Sequence, residues 1–165
     1  MRRLVLVSAV ALLAVVPTAS RATQSAPGDG CLVVQDGRGI VSINAKGYVF
    51  GRFDQGYVEV TDLSPGDGSP PKVYGWERAR TVGGDTTRYI GNDVRFRSSG
   101  RFLIRVNANS GINVSAVGRG RARLSSDDFI DAGSFSVDAE SFCDDGFQPM
   151  PDVPASYEIE APSTG

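Results

Sequence analysis

The chain has 165 residues, a formal net charge of −2 and no histidine. Its length fits one domain of ordinary size with its own hydrophobic core. Without histidine, the chain cannot form a Ser-His-Asp triad, a Cys-His nucleophile pair or a zinc site with histidine ligands.

The N-terminus has the three parts of a secretory signal peptide. Arg2 and Arg3 form a charged start, and residues 4–16 form an uninterrupted apolar or small run. The small residues Ser20 and Ala22 then fit a cleavage site, which we place after Ala22, with Ser20 as the alternative. An uncleaved membrane anchor is disfavoured because the run is shorter than the about 20 residues that a spanning helix needs. The sequence therefore predicts a signal peptide over 1–22 and a secreted or cell-envelope protein, with no transmembrane segment after cleavage.

Charge is distributed unevenly along the predicted mature chain, 23–165, whose net charge is −5. Residues 31–123 hold 14 basic and eight acidic residues, whereas residues 124–165 hold ten acidic residues and no basic one. Fifteen arginines against two lysines, with many Gly, Ala and Val residues, are typical of a GC-rich bacterial genome.

Two cysteines remain in the mature chain, Cys31 and Cys143. An even pair in an exported protein predicts a disulfide, which here would join the two ends of the folded region. Two free thiols are the alternative. Metal binding by two isolated cysteines without histidine is not expected.

The pattern from residue 31 onward is one of short β-type runs separated by Gly, Asp, Asn, Ser and Pro. Tyr57–Asp62 alternates apolar and polar residues, as a half-buried strand does, and Asp54-Gln55-Gly56 before it has the composition of a hairpin turn. Residues 63–72 form a breaker-rich surface loop. We predict an all-β domain over 31–143, either a single antiparallel β-sandwich or an open barrel of about nine or ten short strands. A flexible lead-in over 23–30 precedes it, and an acidic, proline-rich disordered tail over 144–165 follows it.

Three runs between Val94 and Leu124 show the clearest alternation, over 94–97, 101–106 and 112–124. In each run the even positions are mostly apolar and the odd positions carry arginines, which predicts one buried and one solvent face. Gly118 and Gly120 fall on the buried face, where they indicate a bend or a close backbone approach.

The same stretch resembles a family of small exported bacterial β-rich proteins to which no activity is assigned. The resemblance covers roughly residues 31–137. It is carried by Arg95-Phe96-Arg97, by Gly100-Arg101-Phe102 and by the string from Gly111 to Gly120, within which Ser115-Ala116-Val117-Gly118 is most distinctive. It implies an exported β-rich domain and transfers no catalytic residue.

Arginines on the solvent face of the three runs form the candidate site. If the runs pair as a meander, these side chains share one surface: Arg95, Arg97, Arg101, Arg105, Arg119, Arg121 and Arg123. Guanidinium groups suit carboxylate and phosphate ligands. The surface could bind an anionic envelope polymer or a partner protein, could be neutralised by the chain's own acidic tail, or could serve solubility alone. Nucleic acid is not an expected partner of an exported acidic protein with few aromatic residues on that face.

Carboxylates are the remaining candidates for chemistry. Asp127, Asp128 and Asp131 lie close together, but their spacing does not match a calcium loop, so we assign no metal, cofactor or catalytic residue. The leading interpretation is a non-enzymatic exported domain with a binding or structural role. A carboxylate-based hydrolase acting on an extracellular substrate and a self-assembling envelope subunit are the alternatives.

Overall fold

The computed structural model describes residues 29–127, 131–138, 143 and 145–159. It confirms the all-β class: these residues form one antiparallel sheet of seven strands that is not closed into a barrel. The strands are β1 (Gly30–Asp62), β2 (Lys72–Tyr74), β3 (Arg78–Gly83), β4 (Thr86–Ser125), β5 (Ser134–Asp138), β6 (Gln148–Pro149) and β7 (Ala155–Ile159). No helix capable of crossing a membrane occurs in the described part of the chain.

Two strands, β1 and β4, provide most of the sheet because they are 33 and 40 residues long. A straight strand of 40 residues would extend about 130 Å. Instead the two strands coil around each other, so that each lies on both sides of the other. Ile104 of β4, for example, pairs with Ile43 of β1 on one edge and with Val60 of β1 on the other.

Several predicted turns are bends inside these long strands. The hairpin predicted at Asp54-Gln55-Gly56 is wrong, because Gln55 lies within β1 and pairs with Asn92 and Ser110, both in β4. The meander predicted for 94–124 is also wrong: its three runs all belong to β4, the first two form one continuous arm, and β1 lies between that arm and the third run. Glycine and aspartate permit a bend or bulge in a continuous strand as well as a turn, so composition alone did not separate the two cases.

A row of glycines marks the main bend of the sheet. The row consists of Gly100, Gly47 and Gly118, which are neighbours across three strand segments. A Cβ atom on Gly47 would lie 2.1 Å from the carbonyl oxygen of Val117, and one on Gly118 would lie 2.3 Å from that of Lys46. The close approach predicted at Gly118 is therefore confirmed, and Gly120 shows the same crowding. We call this row the glycine bend.

The concave side of the coiled sheet encloses the hydrophobic core. Its largest fully buried side chains include Phe53, Phe102 and Phe135. In β4 the even positions from Val94 to Leu124 point inward, as the alternation predicts, and the odd positions point outward. Burial of this apolar face fixes which side of each strand meets the solvent, because a shift of one residue would reverse it.

The disulfide between Cys31 and Cys143 is present, with the two Cα atoms 5.9 Å apart. It closes a loop of 112 residues and ties the start of β1 to the C-terminal part of the chain. The chain-entropy model assigns about 4 to 5 kcal/mol of stabilisation to a loop of this length.

Much of the segment predicted as a disordered tail is ordered. Strand β7 pairs with residues 120–124 of β4. Ile159 is fully buried, and the ring of Tyr157 lies 4.8 Å from that of Phe135 between centroids. The alternation of Ala155, Tyr157 and Ile159 is a strand signal that the neighbouring prolines obscured. The signal peptide over 1–22, residues 23–28 of the predicted lead-in, and residues 144 and 160–165 of the tail lie outside the described residues.

Candidate anion-binding face

All seven arginines predicted as a candidate site lie on the outward side of β4, and all are exposed. They do not share the surface through a meander. Residues 40–53 of β1 run between two arms of β4, 94–107 and 113–125, and both arms turn their arginines to the same side of the sheet. The predicted set is therefore brought together, by a pairing different from the one expected.

Strand β1 adds two cations that the sequence reasoning missed, Lys46 and Arg52, both exposed. The signal was present in the alternation of 48–53, which places Tyr48, Phe50 and Arg52 opposite the buried Val49. Only the register shows that these residues lie between the two arms of β4. We call the resulting surface the basic face: Lys46, Arg52, Arg95, Arg97, Arg101, Arg105, Arg119, Arg121 and Arg123.

Like charges are direct neighbours on the basic face. Lys46 pairs with Arg101 on one side and with Arg119 on the other, and Arg52 pairs with Arg95. Like charges directly opposite each other on a sheet destabilise it, by a few tenths to about 1 kcal/mol for a pair. An anion bound between these side chains would relieve the repulsion.

One part of the face, beyond the glycine bend, is partly neutralised by the chain itself. We call it the tail half: Lys46, Arg101, Arg105, Arg119, Arg121 and Arg123. Glu158 of β7 accepts hydrogen bonds from Arg121, and Asp29 accepts one from Nε of Arg119 at 3.2 Å. One ion pair between the arginines and the acidic C-terminal segment is therefore present, at Arg121, and neutralisation of the face by that segment stays a prediction.

The other part, on the near side of the bend, is a hollow of about 800 Å³ that we call the aromatic groove. Two rows of outward side chains cross its floor. In one row, Phe50 lies between Arg97 and Ser115. In the other, Arg52 lies between Arg95 and Asn113, and Tyr74 of β2 is the next neighbour of Arg95.

Charge in the aromatic groove is of one sign. Its lining contains Arg52, Arg95 and Arg97 and no carboxylate. Arg95 contacts Asp93 at 3.0 Å, but both side chains are about 64% exposed, and such pairs contribute at most about 1 kcal/mol. Within the described part of the chain, neither Arg52 nor Arg97 has a carboxylate oxygen within 4.0 Å.

One end of the groove is held rigidly by Asn113. Its side-chain Nδ2 donates to Oδ1 of Asp36 at 3.1 Å and to the carbonyl oxygen of Gly111 at 3.1 Å. Its Oδ1 accepts from the backbone N–H of Asp36 at 3.3 Å. Because these bonds occupy the amide, Asn113 acts as a fixed wall of the groove.

A contrasting arginine, Arg88, lies in the same cross-strand row as Arg105, with Glu59 between them, and is fully engaged. Its Nε donates to Oε1 of Glu59 at 2.9 Å, and its guanidinium carbon lies 4.3 Å from the centre of the Tyr57 ring. The hydrogen bond that Arg88 donates to Glu59 raises the pKa of Arg88 above its ordinary value. This geometry indicates that Arg88 stabilises the fold. No arginine that lines the aromatic groove has such a contact with both a carboxylate and a ring in the described part of the chain.

Carboxylates form no metal site among the residues that the structure describes, where no three Asp, Glu or Cys side chains cluster. A second hollow, of about 850 Å³, is lined by Asp36, Asp131 and Asp152 among others. Asp128 lies outside the described residues. The hydrolase alternative stays a prediction.

Comparison of the chain with protein-family models, with curated proteins and with solved structures finds no match. The resemblance to small exported β-rich proteins therefore stays a prediction, and the functional argument depends on the geometry of the basic face.

Proposed function

We propose that this protein is a non-enzymatic, extracytoplasmic binding domain that holds an anionic polymer on its basic face. The observation that carries the proposal is the placement of nine cations on three adjacent strand segments, with cations paired directly with cations. Solubility alone does not explain this arrangement. Surface charges of mixed sign make a protein soluble without placing like charges opposite each other on neighbouring strands.

Export is part of the proposal. The disulfide supports it, because such bonds persist in oxidising compartments and are rare in the cytosol. The predicted signal peptide supports it independently. Anionic polymers of the envelope or the surrounding medium would then be within reach of the face.

The test is binding of dextran sulfate to the purified chain 23–165, which contains every described residue. The variant R101S/R105S removes two charges from the basic face, and the control R78S/R80S removes two exposed charges from β3. We expect R101S/R105S to weaken binding about tenfold at low salt, which corresponds to two exposed ion pairs of about 0.7 kcal/mol each. The control should remain close to the parent chain.

Two results would overturn the proposal. One is failure of the parent chain to bind dextran sulfate at low salt. The other is an equal loss in R78S/R80S, since the effect would then follow net charge and not the basic face.

A further inference from the structure

We propose that the aromatic groove selects an acidic carbohydrate, with its rings lying on Phe50 and Tyr74 and its carboxylates on Arg52, Arg95 and Arg97. This inference rests on the proposed function and specifies the class of polymer that the face binds.

Exposed aromatic rings are the first reason. Phe50 is 63% exposed and Tyr74 is 51% exposed, although both lie within a regular sheet that buries its other phenylalanines well. Tyr48, 57% exposed, borders an adjoining hollow of about 670 Å³ that shares Phe50 and Arg97 with the groove. An apolar surface of this kind, framed by polar groups, is typical of a ligand site.

The position of each ring directly beside a cation is the second reason. Phe50 is flanked by Arg97, and Tyr74 is flanked by Arg95. A matching ligand presents apolar faces and negative charges at short, regular intervals. A chain of uronic acid residues does so, because each pyranose ring has an apolar C–H face and each carries a carboxylate that a guanidinium fork can bind.

Other anionic polymers match less well. Polyphosphate and acidic peptides carry the charges without a rigid apolar ring, so they would leave the aromatic side chains unused. Single-stranded nucleic acid has rings and phosphates, but the disulfide argues against it, because such bonds are rare in cytosolic and nuclear proteins. Oligonucleotide binding is therefore an outcome of the test.

The dimensions and rigidity of the groove are the third reason. Its lining runs across five strand segments, from Val33 to Tyr74. At a strand spacing of about 4.8 Å this gives a length of about 19 Å, enough for several sugar rings. The hydrogen bonds of Asn113 fix one wall, so little side-chain ordering is required on binding.

The experiment titrates chain 23–165 with an oligogalacturonate, with the same oligosaccharide methyl-esterified, with oligo-dT, with polyphosphate and with dextran sulfate. The variants are F50A and Y74A. The control is W76A, which removes another exposed ring, 47% exposed, that does not line the groove.

We expect F50A and Y74A each to weaken oligogalacturonate binding about tenfold, while binding of polyphosphate, which has no ring, changes less than about twofold. Methyl esterification should weaken binding about tenfold or more, because it removes the charges that the arginines recognise. W76A should match the parent chain.

Three results would overturn the inference. F50A and Y74A could leave oligogalacturonate binding unchanged, oligo-dT could bind more tightly than oligogalacturonate, or polyphosphate could bind more tightly than oligogalacturonate. In each case the proposed function survives if dextran sulfate still binds through the basic face. If the chain binds neither dextran sulfate nor oligogalacturonate, both proposals are wrong.

Discussion

The two parts of the basic face differ in whether acidic side chains of the same chain lie against their arginines. In the tail half, segments near both ends of the described chain return to the arginines: Glu158 of β7 meets Arg121, and Asp29 meets Arg119. In the aromatic groove, no carboxylate lines the hollow, and the exposed rings of Phe50 and Tyr74 lie beside the cations. The same alternation produces both halves, so what distinguishes them is the segment that folds against each one.

Under the proposed function, the two parts of the basic face have different roles. The tail half would attract anions of many kinds, and its own acids would moderate that attraction. The groove adds exposed rings and the hydrogen-bonded Asn113, which general electrostatic attraction does not require. The proposal therefore assigns affinity to charge over the whole basic face, and selectivity to shape and ring stacking in the groove.

The largest expected effect concerns the disulfide, which stabilises the sheet that carries both the tail half and the aromatic groove. The variant C31S/C143S removes the disulfide, and we expect the free energy of unfolding to fall by about 4 to 5 kcal/mol because the closed loop is long. Urea denaturation of the variant and the parent chain measures it. A fall below about 1 kcal/mol would show that the unfolded chain gains little freedom when the bond is lost.

The next effect concerns the glycine bend between the two halves. In G47A the added Cβ meets the backbone oxygen of Val117 at 2.1 Å, so the strands must separate, and we expect destabilisation of about 3 kcal/mol. The control G66A places its Cβ in open space. Thermal unfolding compares the two. Equal stability of both variants would show that the bend tolerates a side chain.

A smaller effect concerns self-neutralisation in the tail half. E158Q removes the partner of Arg121, so we expect dextran sulfate affinity to rise about two- to threefold while stability falls by less than about 1 kcal/mol. D85N is the control, since it removes one acidic charge from an exposed turn. An equal rise in both variants would mean that net charge, and not the contact with β7, governs binding.

The smallest effect lies beneath the aromatic groove. Ser98 points inward, and its buried hydroxyl has no hydrogen-bond partner among the described residues. S98A should therefore stabilise the chain by up to about 1 kcal/mol. S136A should destabilise it by about 1 kcal/mol, because Oγ of Ser136 donates to the carbonyl oxygen of Asp145 at 2.6 Å. Destabilisation by S98A in urea titrations would contradict this reading of the inner face.

The alternation of residues carried most of what the sequence could predict. It placed Phe102, Ile104 and Val106 inside and the arginines of 94–124 outside, since a period of two specifies a face without specifying a partner strand. The disulfide followed from two cysteines and the predicted export. Pairing could not be predicted, because β1 and β4 interleave and most of their contacts join residues far apart in sequence.

The aromatic groove could not be predicted from the sequence for the same reason. Phe50, Arg95 and Tyr74 come from three different strands, and only the register brings them together. Strand β7 was missed because prolines at 149, 151 and 154 have the composition of a loop, whereas its own five residues alternate as a strand. The prediction for this segment relied on its proline content and not on the two-residue alternation of its side chains.

The most direct test of the central claim maps the bound polymer onto the chain. Backbone amide chemical shifts of chain 23–165 would be followed during titration with dextran sulfate. The account predicts the largest changes on the outward positions of β1 and β4, including Arg52, Arg97 and Arg101, with little change in β3. Changes confined to 78–83, or to the hollow around Asp131 and Asp152, would contradict it.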